Sequence, residues 1–204
     1  MANQLYRMFL EKLGGSDPTQ FIGDLGEIFY DPTTGVLRVS DGVTKGGIIL
    51  GALGSTGYVG SFYDTTDQTN PVANTANKMT YNTSSISDGV TIDNNSRIKV
   101  LHDGNWNIQF SAQLTKAGGG DSSIDIWLMK NGNNLDYTNT RVHVIGNGAK
   151  VVAGWNWVFG AQANDYFEIA WSSPDKSMTI YHEAVTTNPT RPAIPSVILT
   201  VSQV

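Results

Sequence analysis

The sequence contains no cysteine. This absence excludes disulfide bonds, thiolate nucleophiles and cysteine-ligated zinc sites together. Charged residues are scarce, at 15% of the 204 residues, and the net charge is only −5. Basic residues occur at most as isolated pairs such as Arg97 and Lys99, whereas a nucleic-acid-binding surface needs a basic cluster. We therefore expect no nucleic-acid partner.

Long hydrophobic runs are missing as well. A membrane-spanning helix needs roughly 20 consecutive apolar residues, and the apolar stretches of this sequence are far shorter. We therefore expect no membrane insertion. The segment 1–7 lacks the basic and then apolar profile of a signal peptide. We expect the chain to be made in the cytoplasm and to reach any other location without the secretory route.

Hydrophobic residues make up 40% of the chain, and they alternate with polar residues in short runs. In the run 107–114, Ile108, Phe110 and Leu114 share one face and polar residues occupy the other. Comparable runs lie at 124–129, 166–171, 178–183 and 197–201. Because such alternation is typical of half-buried strands, the sequence predicts an all-β fold, an antiparallel jelly-roll sandwich.

One predicted strand carries large apolar side chains on both faces. Trp155, Trp157 and Phe159 share one side, and Val152 and Val158 lie on the other. A soluble monomeric sandwich keeps one face of each sheet polar. The second apolar face therefore predicts a subunit interface.

The sequence pattern predicts that the first 50 residues form a separate unit. The segment 5–13 fits neither a helical nor a strand period clearly. Two β-prone runs follow, Gly26–Asp31 and Val36–Gly42, and they flank the turn sequence Pro32–Gly35. This arrangement predicts a β-hairpin.

Glycine recurs at every third position through Gly51, Gly54, Gly57 and Gly60. The segment fits a flexible linker. It also fits a short collagen-like neck, because only glycine fits at the axis of three wound chains. The predicted organisation is an N-terminal attachment or anchoring module at 1–50, a glycine-triplet neck at 51–60 and a jelly-roll head at 61–204.

The head resembles the trimeric jelly rolls of the complement-q and tumour-necrosis-factor type. The resemblance lies in Gly104–Ser111, Ile126–Gly132, Ala163–Ile169 and Val197–Val201, taken in their order and spacing. A glycine-triplet neck before such a head is also typical of that family. The resemblance implies a homotrimer.

The N-terminal unit resembles a module of phage tail fibres, baseplate proteins and tropism determinants. The resemblance covers about 30 residues, and upstream of it Tyr6–Phe9 stands where an Arg-Arg-Gly-Thr-like strand is usual. It implies a virion protein that is made in the host cytoplasm and contacts other tail, baseplate or capsid proteins. The residues that carry the motif are Gly26, Glu27, Asp31, Gly35, Arg38, Asp41, Gly42, Gly46 and Gly47.

No catalytic pattern stands out, and we expect the protein not to be an enzyme. His102, His143 and His182 lack the spacing of a zinc site or a catalytic triad, and His182 is predicted to be a partly buried strand residue. Paired carboxylates suffice for glycoside hydrolysis, but aspartates in turn positions usually bond their own backbone. The aspartates concerned are Asp93, Asp103, Asp121, Asp125, Asp136, Asp165 and Asp175.

We expect no cofactor and no resident metal. Calcium is the one alternative, because oxygen ligands are close together at two places. Asp121 follows the Gly118–Gly120 turn, and Asp93 precedes Asn94 and Asn95. Neither segment reproduces a known calcium loop.

Receptor contacts are expected at exposed loop tips. The candidate loops are Gly118–Ser123, Asn131–Thr140 and Ser172–Ser177. The five tryptophans offer faces for sugar stacking, but core and interface packing is the favoured interpretation for them. The candidate receptor-contact residues are Gly119, Asp121, Asn133, Asn134, Tyr137 and Asp175.

Two functions remain open at this point. The first is a non-enzymatic virion protein, a trimeric short fibre, spike or fibre tip that attaches to a bacterial surface glycan or protein receptor. The second is a trimeric capsid decoration (cement) protein, or a baseplate or tail component. Position on the particle is what separates them.

Overall fold

The structure is a computed structural model that describes residues 19–31, 34–50 and 57–204. The ambiguous segment 5–13, the turn residues 32–33 and the neck residues 51–56 lie outside the described residues. The chain divides into two compact units, with the boundary between Thr56 and Gly57. All regular secondary structure in the described ranges is β-strand. No helix that could cross a bilayer occurs in those ranges.

The N-terminal unit holds a small antiparallel sheet. Its strands are β1 (Ile28–Asp31), β2 (Val36–Val39) and β3 (Ile48–Ile49), in the order β1-β2-β3. Strands β1 and β2 pair from Ile28 opposite Val39 to Asp31 opposite Val36, which confirms the predicted hairpin. The Gly35 N–H donates to the Asp31 carbonyl oxygen at 2.8 Å. Gly35 has a φ of +72°, a conformation that favours glycine.

The head is built from strands β4 to β19. The first eight are β4 (Val59–Asp64), β5 (Gln68–Thr69), β6 (Asn77–Lys78), β7 (Thr83–Asp88), β8 (Val90–Asp93), β9 (Arg97–Val100), β10 (Gly104–Lys116) and β11 (Asp121–Lys130). The last eight are β12 (Asn133–Asn134), β13 (Thr140–Ile145), β14 (Lys150–Ala161), β15 (Tyr166–Ser172), β16 (Met178–Ile180), β17 (Thr186–Thr187), β18 (Thr190–Arg191) and β19 (Val197–Gln203).

Two antiparallel sheets form the sandwich. Sheet I has the order β14-β10-β19-β4-β7, and β16 and β5 extend it beside one end of β10. Sheet II has the order β13-β11-β15-β9-β8, with β12 beside β11 and β6 beside β15. The long strands switch sheets along the chain, since β9, β11 and β15 belong to sheet II and β10, β14 and β19 to sheet I. This is the antiparallel jelly roll that the sequence predicts.

The core lies between the sheets and follows the predicted alternation. Trp106, Ile108 and Phe110 of β10 point inward and are at most 2% exposed. Ile126 and Leu128 of β11 face them from sheet II and are fully buried. Burying each such side chain contributes about 1.5–3 kcal/mol, so the period-two pattern fixes which face of each strand points inward.

Two predicted boundaries need correction. Strand β4 begins at Val59, and Gly60 lies within it. A Cβ atom at Gly60 would come within 2.5 Å of the Phe62 ring, so close packing in the head accounts for this glycine. The predicted neck therefore keeps only residues 51–56. Strand β16 ends at Ile180, and His182 is an exposed residue beyond it rather than a partly buried strand residue.

Candidate functional site

Four of the six predicted receptor-contact residues fall into two groups in the head, and Asp121 and Asn133 belong to neither. Gly119 and Asp175 meet around Lys116, whose side chain is fully buried. The Lys116 ammonium donates to the carbonyl oxygens of Gly118 at 2.7 Å and Gly119 at 3.1 Å, and it lies 3.7 Å from the Asp175 carboxylate. The polar atoms of this group are therefore largely used to hold the β10–β11 turn.

Asp175 is also bound by its own turn. Ser177 donates to the Asp175 carboxylate through its backbone N–H and its hydroxyl, each at 2.8 Å. These hydrogen bonds, aided by the charge of Lys116, lower the pKa of Asp175. Asp121 opens β11 opposite Ile145 and lines a separate shallow depression with His143. We find no shared site for these three candidates.

Asn134 and Tyr137 belong to a second group, which surrounds Trp127. They line an open depression of about 330 Å³ on the outer side of sheet II. Asn133 neighbours this depression but does not line it. We name it the Trp127 depression, and its lining residues are Asp125, Trp127, Asn134, Leu135, Asp136, Tyr137, Asn139 and Ser172.

Trp127 lies on the outward face of β11, between two inward residues that are fully buried, Ile126 and Leu128. Its side chain is half-buried, and the indole N–H donates to the Asn134 side-chain oxygen at 2.8 Å. The core interpretation fits Trp106 and Trp171, which are at most 1% exposed. Trp127 is not in the core, because strand alternation places this ring on the outer face of β11, and interface packing stays a prediction for it.

The loop beside Trp127 is fixed by hydrogen bonds to β11. Thr138 is buried, and its hydroxyl accepts from the Leu128 N–H at 3.1 Å and donates to the Leu135 carbonyl at 2.8 Å. The Leu135 N–H donates to the Leu128 carbonyl at 3.0 Å. Between these anchors Tyr137 has a φ of +63° and a fully exposed side chain.

A salt bridge borders the depression. The Arg141 guanidinium donates through Nε and one Nη to both Asp125 oxygens, each at 2.8 Å. Its hydrogen bond and its attraction to Asp125 raise the pKa of Arg141. The bidentate geometry orients the carboxylate and cancels its charge, so the polar groups of the depression are mostly uncharged amides and hydroxyls.

A second surface, on sheet I, is almost free of charge. We call it the sheet I face: the outward residues of β4, β10, β14 and β19. Lys150, at the first position of β14, is the one charged residue among them. The apolar members Val152, Val158 and Ile198 are 61%, 54% and 42% exposed. The polar members are Ser61, Asn105, Asn107, Gln109, Ser111, Gln113, Thr115, Asn156, Thr200 and Ser202.

The inward side of β14 is aromatic, as predicted. Trp155 and Trp157 are half-buried there and flank Phe110, with ring centroids 4.8 Å and 5.4 Å from the Phe110 ring. Val152 and Val158 lie on the opposite side of the same strand. The structure thus confirms a strand with apolar side chains on both faces.

The N-terminal motif residues form turns and one buried ion pair. The Arg38 guanidinium lies 3.2 Å from the buried Asp31 carboxylate and donates to the Gly46 carbonyl at 3.0 Å. Asp41 accepts from the Thr44 hydroxyl and backbone N–H, which helps lower the pKa of Asp41 to about 2. The Asp24 N–H donates to the Glu27 carboxylate. The motif glycines with positive φ are Gly26, Gly35, Gly42, Gly46 and Gly47.

The two candidate calcium segments and the histidines lie at separate places in the head. Asn94 and Asn95 have positive φ and form the turn between β8 and β9. The His182 backbone N–H donates to the Asp67 carboxylate at 2.8 Å, and the ring Nδ1 lies 2.8 Å from the same oxygen. His102 stacks on Tyr58 with 3.7 Å between ring centroids. In the described part of the chain, no three histidine or acidic side chains converge as metal ligands. The absence of an enzyme activity and of a cofactor remains a prediction.

No protein-family model and no curated protein sequence matches the chain. Among solved structures, the chain is similar to murine APRIL, with a TM-score of 0.47 and 9% sequence identity. The alignment covers 73% of this chain and 100% of that chain. A similarity at this level assigns neither a family nor a function.

Proposed function

We propose that the chain is a non-enzymatic structural protein of a bacteriophage particle, a homotrimer whose jelly-roll head attaches the particle to a bacterial surface. The sheet I face is the observation that carries this proposal. It supports self-association of the head, which a trimeric attachment protein requires.

The composition of the sheet I face is unusual for a surface that stays in water. Soluble domains carry charges on about 25–35% of their surface positions, whereas this face has Lys150 at its edge and otherwise neutral residues. Its apolar side chains lie beside side-chain amides that hydrogen-bond to each other. For example, the Asn156 amide donates to the Asn107 side-chain oxygen at 2.7 Å. Depletion of charge is typical of the buried centre of subunit interfaces.

The number of copies, three, is proposed from the glycine spacing in the segment that precedes the head. In the neck residues 51–56, glycine occupies positions 51 and 54, the three-residue spacing that lets three chains run side by side about one axis. The resemblance of the head to trimeric jelly rolls points to the same number. Phage origin is proposed from the N-terminal motif, whose hairpin spans Ile28–Val39.

Two measurements test the proposal. Light scattering on the purified chain should give three times its mass of 22.0 kDa. The purified protein should also compete with phage particles for adsorption to host cells. A monomer in solution would overturn the trimer. A trimer that neither binds cells nor competes, and that electron microscopy places on the capsid lattice, would overturn attachment and support the decoration role.

A further inference from the structure

We propose that the Trp127 depression is a binding site for an uncharged glycan, such as a chain of neutral hexose or N-acetylhexosamine units. This inference rests on the proposed attachment function and names the chemical class of its receptor. It is carried by the aromatic surface, by the polar groups around it and by the rigidity of the loop that presents them.

The aromatic surface consists of side chains that can pack against sugar rings. Trp127 is half-buried on the outer face of β11, and Tyr137 projects fully into solvent on the adjoining loop. A sugar ring presents an apolar C–H face that packs against an aromatic face, and tyrosine and tryptophan provide large contact area with few rotatable bonds. Exposed tyrosine of this kind has no evident role in the stability of the head.

Polar groups that can form hydrogen bonds with sugar hydroxyls surround this aromatic surface. Asn134, Asn139 and Ser172 line the same depression as Trp127. The Asn134 side-chain oxygen is held by the Trp127 indole N–H at 2.8 Å, which leaves the Asn134 amide N–H groups as potential donors. Side-chain amides and hydroxyls both donate and accept, which is what recognition of sugar hydroxyls requires. The lining is mostly polar, and Trp127, Leu135 and Tyr137 are its apolar and aromatic members.

The loop is held in a conformation that presents Tyr137. A bulky residue with a φ of +63° occupies a costly region of backbone space, and such strain clusters at binding sites. The buried Thr138 next to Tyr137 fixes the loop to Leu128 and Leu135. Because the loop is already ordered, binding would lose little conformational entropy.

The charges favour a neutral ligand over an acidic one. Asp125 is neutralised by the bidentate contact of Arg141, with both distances at 2.8 Å. Asp136 adds a negative charge to the lining, and no lysine or arginine is among the lining residues. Uronic acids, sialic acids and phosphates would therefore meet a surface of like charge, whereas a neutral hexose would not.

The test uses the full chain and an array of uncharged hexose and N-acetylhexosamine oligosaccharides, printed beside oligosaccharides of uronic and sialic acid. The strongest uncharged ligand is then titrated with each variant. We expect Tyr137→Ala to weaken binding by about tenfold or more through lost stacking. Tyr137→Phe should restore it to within about threefold, since the ring remains.

Asn134→Ala and Asn133→Ala form the matched pair of amide variants. Asn134 lines the depression and Asn133 does not, so only the first should weaken binding, while the second should stay within about twofold. Binding to acidic oligosaccharides alone would overturn the inference. Absence of binding to any uncharged oligosaccharide, or equal affinity of wild type and Tyr137→Ala, would do the same.

Cell binding separates this inference from the attachment function. Periodate oxidation of host cells destroys sugar rings and should abolish binding of the head. If the head binds oxidised and untreated cells equally, the receptor is not a glycan and the inference fails, while attachment stands. If the head binds neutral oligosaccharides through Tyr137 but does not bind host cells, the glycan site stands and attachment fails.

Discussion

The outer faces of the two sheets of the head differ sharply in charge. The outward residues of β4, β10, β14 and β19 include one charged residue, Lys150. Sheet II has oppositely charged neighbours on its outer face, such as Arg141 with Asp125 at 2.8 Å. A second pair, Lys78 with Glu168 at 3.7 Å, has a buried carboxylate. Further outward charges on sheet II are Asp93, Arg97 and Lys99.

This difference in charge indicates that the outer faces of the two sheets have different roles. Both sheets present alternating apolar side chains to one core, so the inward faces are alike. Charged side chains are costly to bury and inexpensive to keep in water. A face without them is suited to being covered, and a face with paired charges is suited to staying exposed. Self-association is therefore expected on sheet I and ligand binding on sheet II.

The largest effect is expected from placing a charge on the sheet I face. Val158→Glu puts a carboxylate within the proposed interface, where burying an unpaired charge costs several kcal/mol. We expect the mass measured by light scattering to fall from three chains to one chain of 22.0 kDa.

The matched control places the same charge on sheet II. Ile145→Glu also replaces an exposed β-branched residue on an outer face, and Ile145 is 66% exposed against 54% for Val158. The mass of this variant should stay that of the trimer. A loss of assembly by Ile145→Glu with an intact Val158→Glu trimer would reverse the assignment of the two sheets.

The next effect concerns Lys116, an inward-facing charged residue of sheet I. Lys116→Met keeps most of the side-chain length but leaves the carbonyl oxygens of Gly118 and Gly119 without their ammonium donor. Removing one partner of a buried hydrogen bond costs about 1–3 kcal/mol, which urea unfolding at fixed protein concentration should detect. Lys176→Met, at an exposed neighbouring position, should change the unfolding free energy by less than about 0.5 kcal/mol.

The pH dependence of stability should originate in paired carboxylates such as Asp165. Hydrogen bonds from Lys130, Asn131 and the Gln162 backbone lower the pKa of Asp165 from 3.8 to about 2. Because the folded-state pKa is the lower one, this stabilisation is complete above about pH 4 and is lost as the pH falls toward 2.

Unfolding measured between pH 5 and about pH 2 tests this point. The Asp165→Asn variant should lose less stability on acidification than the wild type. Asp88→Asn removes a carboxylate from an exposed strand residue of sheet I and controls for the change in net charge. Equal acid sensitivity of the Asp165→Asn variant and the wild type would show that this carboxylate is not the source.

The fold could be predicted because its signal is local. The period-two pattern of Ile108, Phe110 and Leu114 fixes the inward face of β10 without knowledge of any partner strand. The same pattern places Trp127 with Asp125 on the other face of β11, and the structure has Trp127 half-buried there, between the buried residues Ile126 and Leu128.

The candidate site could be predicted only in part, because contacts distant in sequence decide it. Asn134 and Tyr137 were expected from their loop, but the backbone conformation of Tyr137 depends on how Thr138 bonds β11. The burial of Lys116 depends on the Gly118–Gly120 turn folding back over it. Turn composition shows that such loops exist, but it does not show which of them meet.

The smallest effect is expected at the Arg141–Asp125 salt bridge on the outer face of sheet II. The Arg141 side chain is 60% exposed, and solvent screens exposed ion pairs so that they contribute little to stability. Arg141→Met should therefore lower the unfolding free energy only slightly at low salt, and the difference from wild type should shrink in high salt. Asp125→Asn should behave alike. A loss of several kcal/mol would mean that a partner covers this face in the assembled protein, and sheet II would then be an interface rather than the exposed, ligand-binding side of the head.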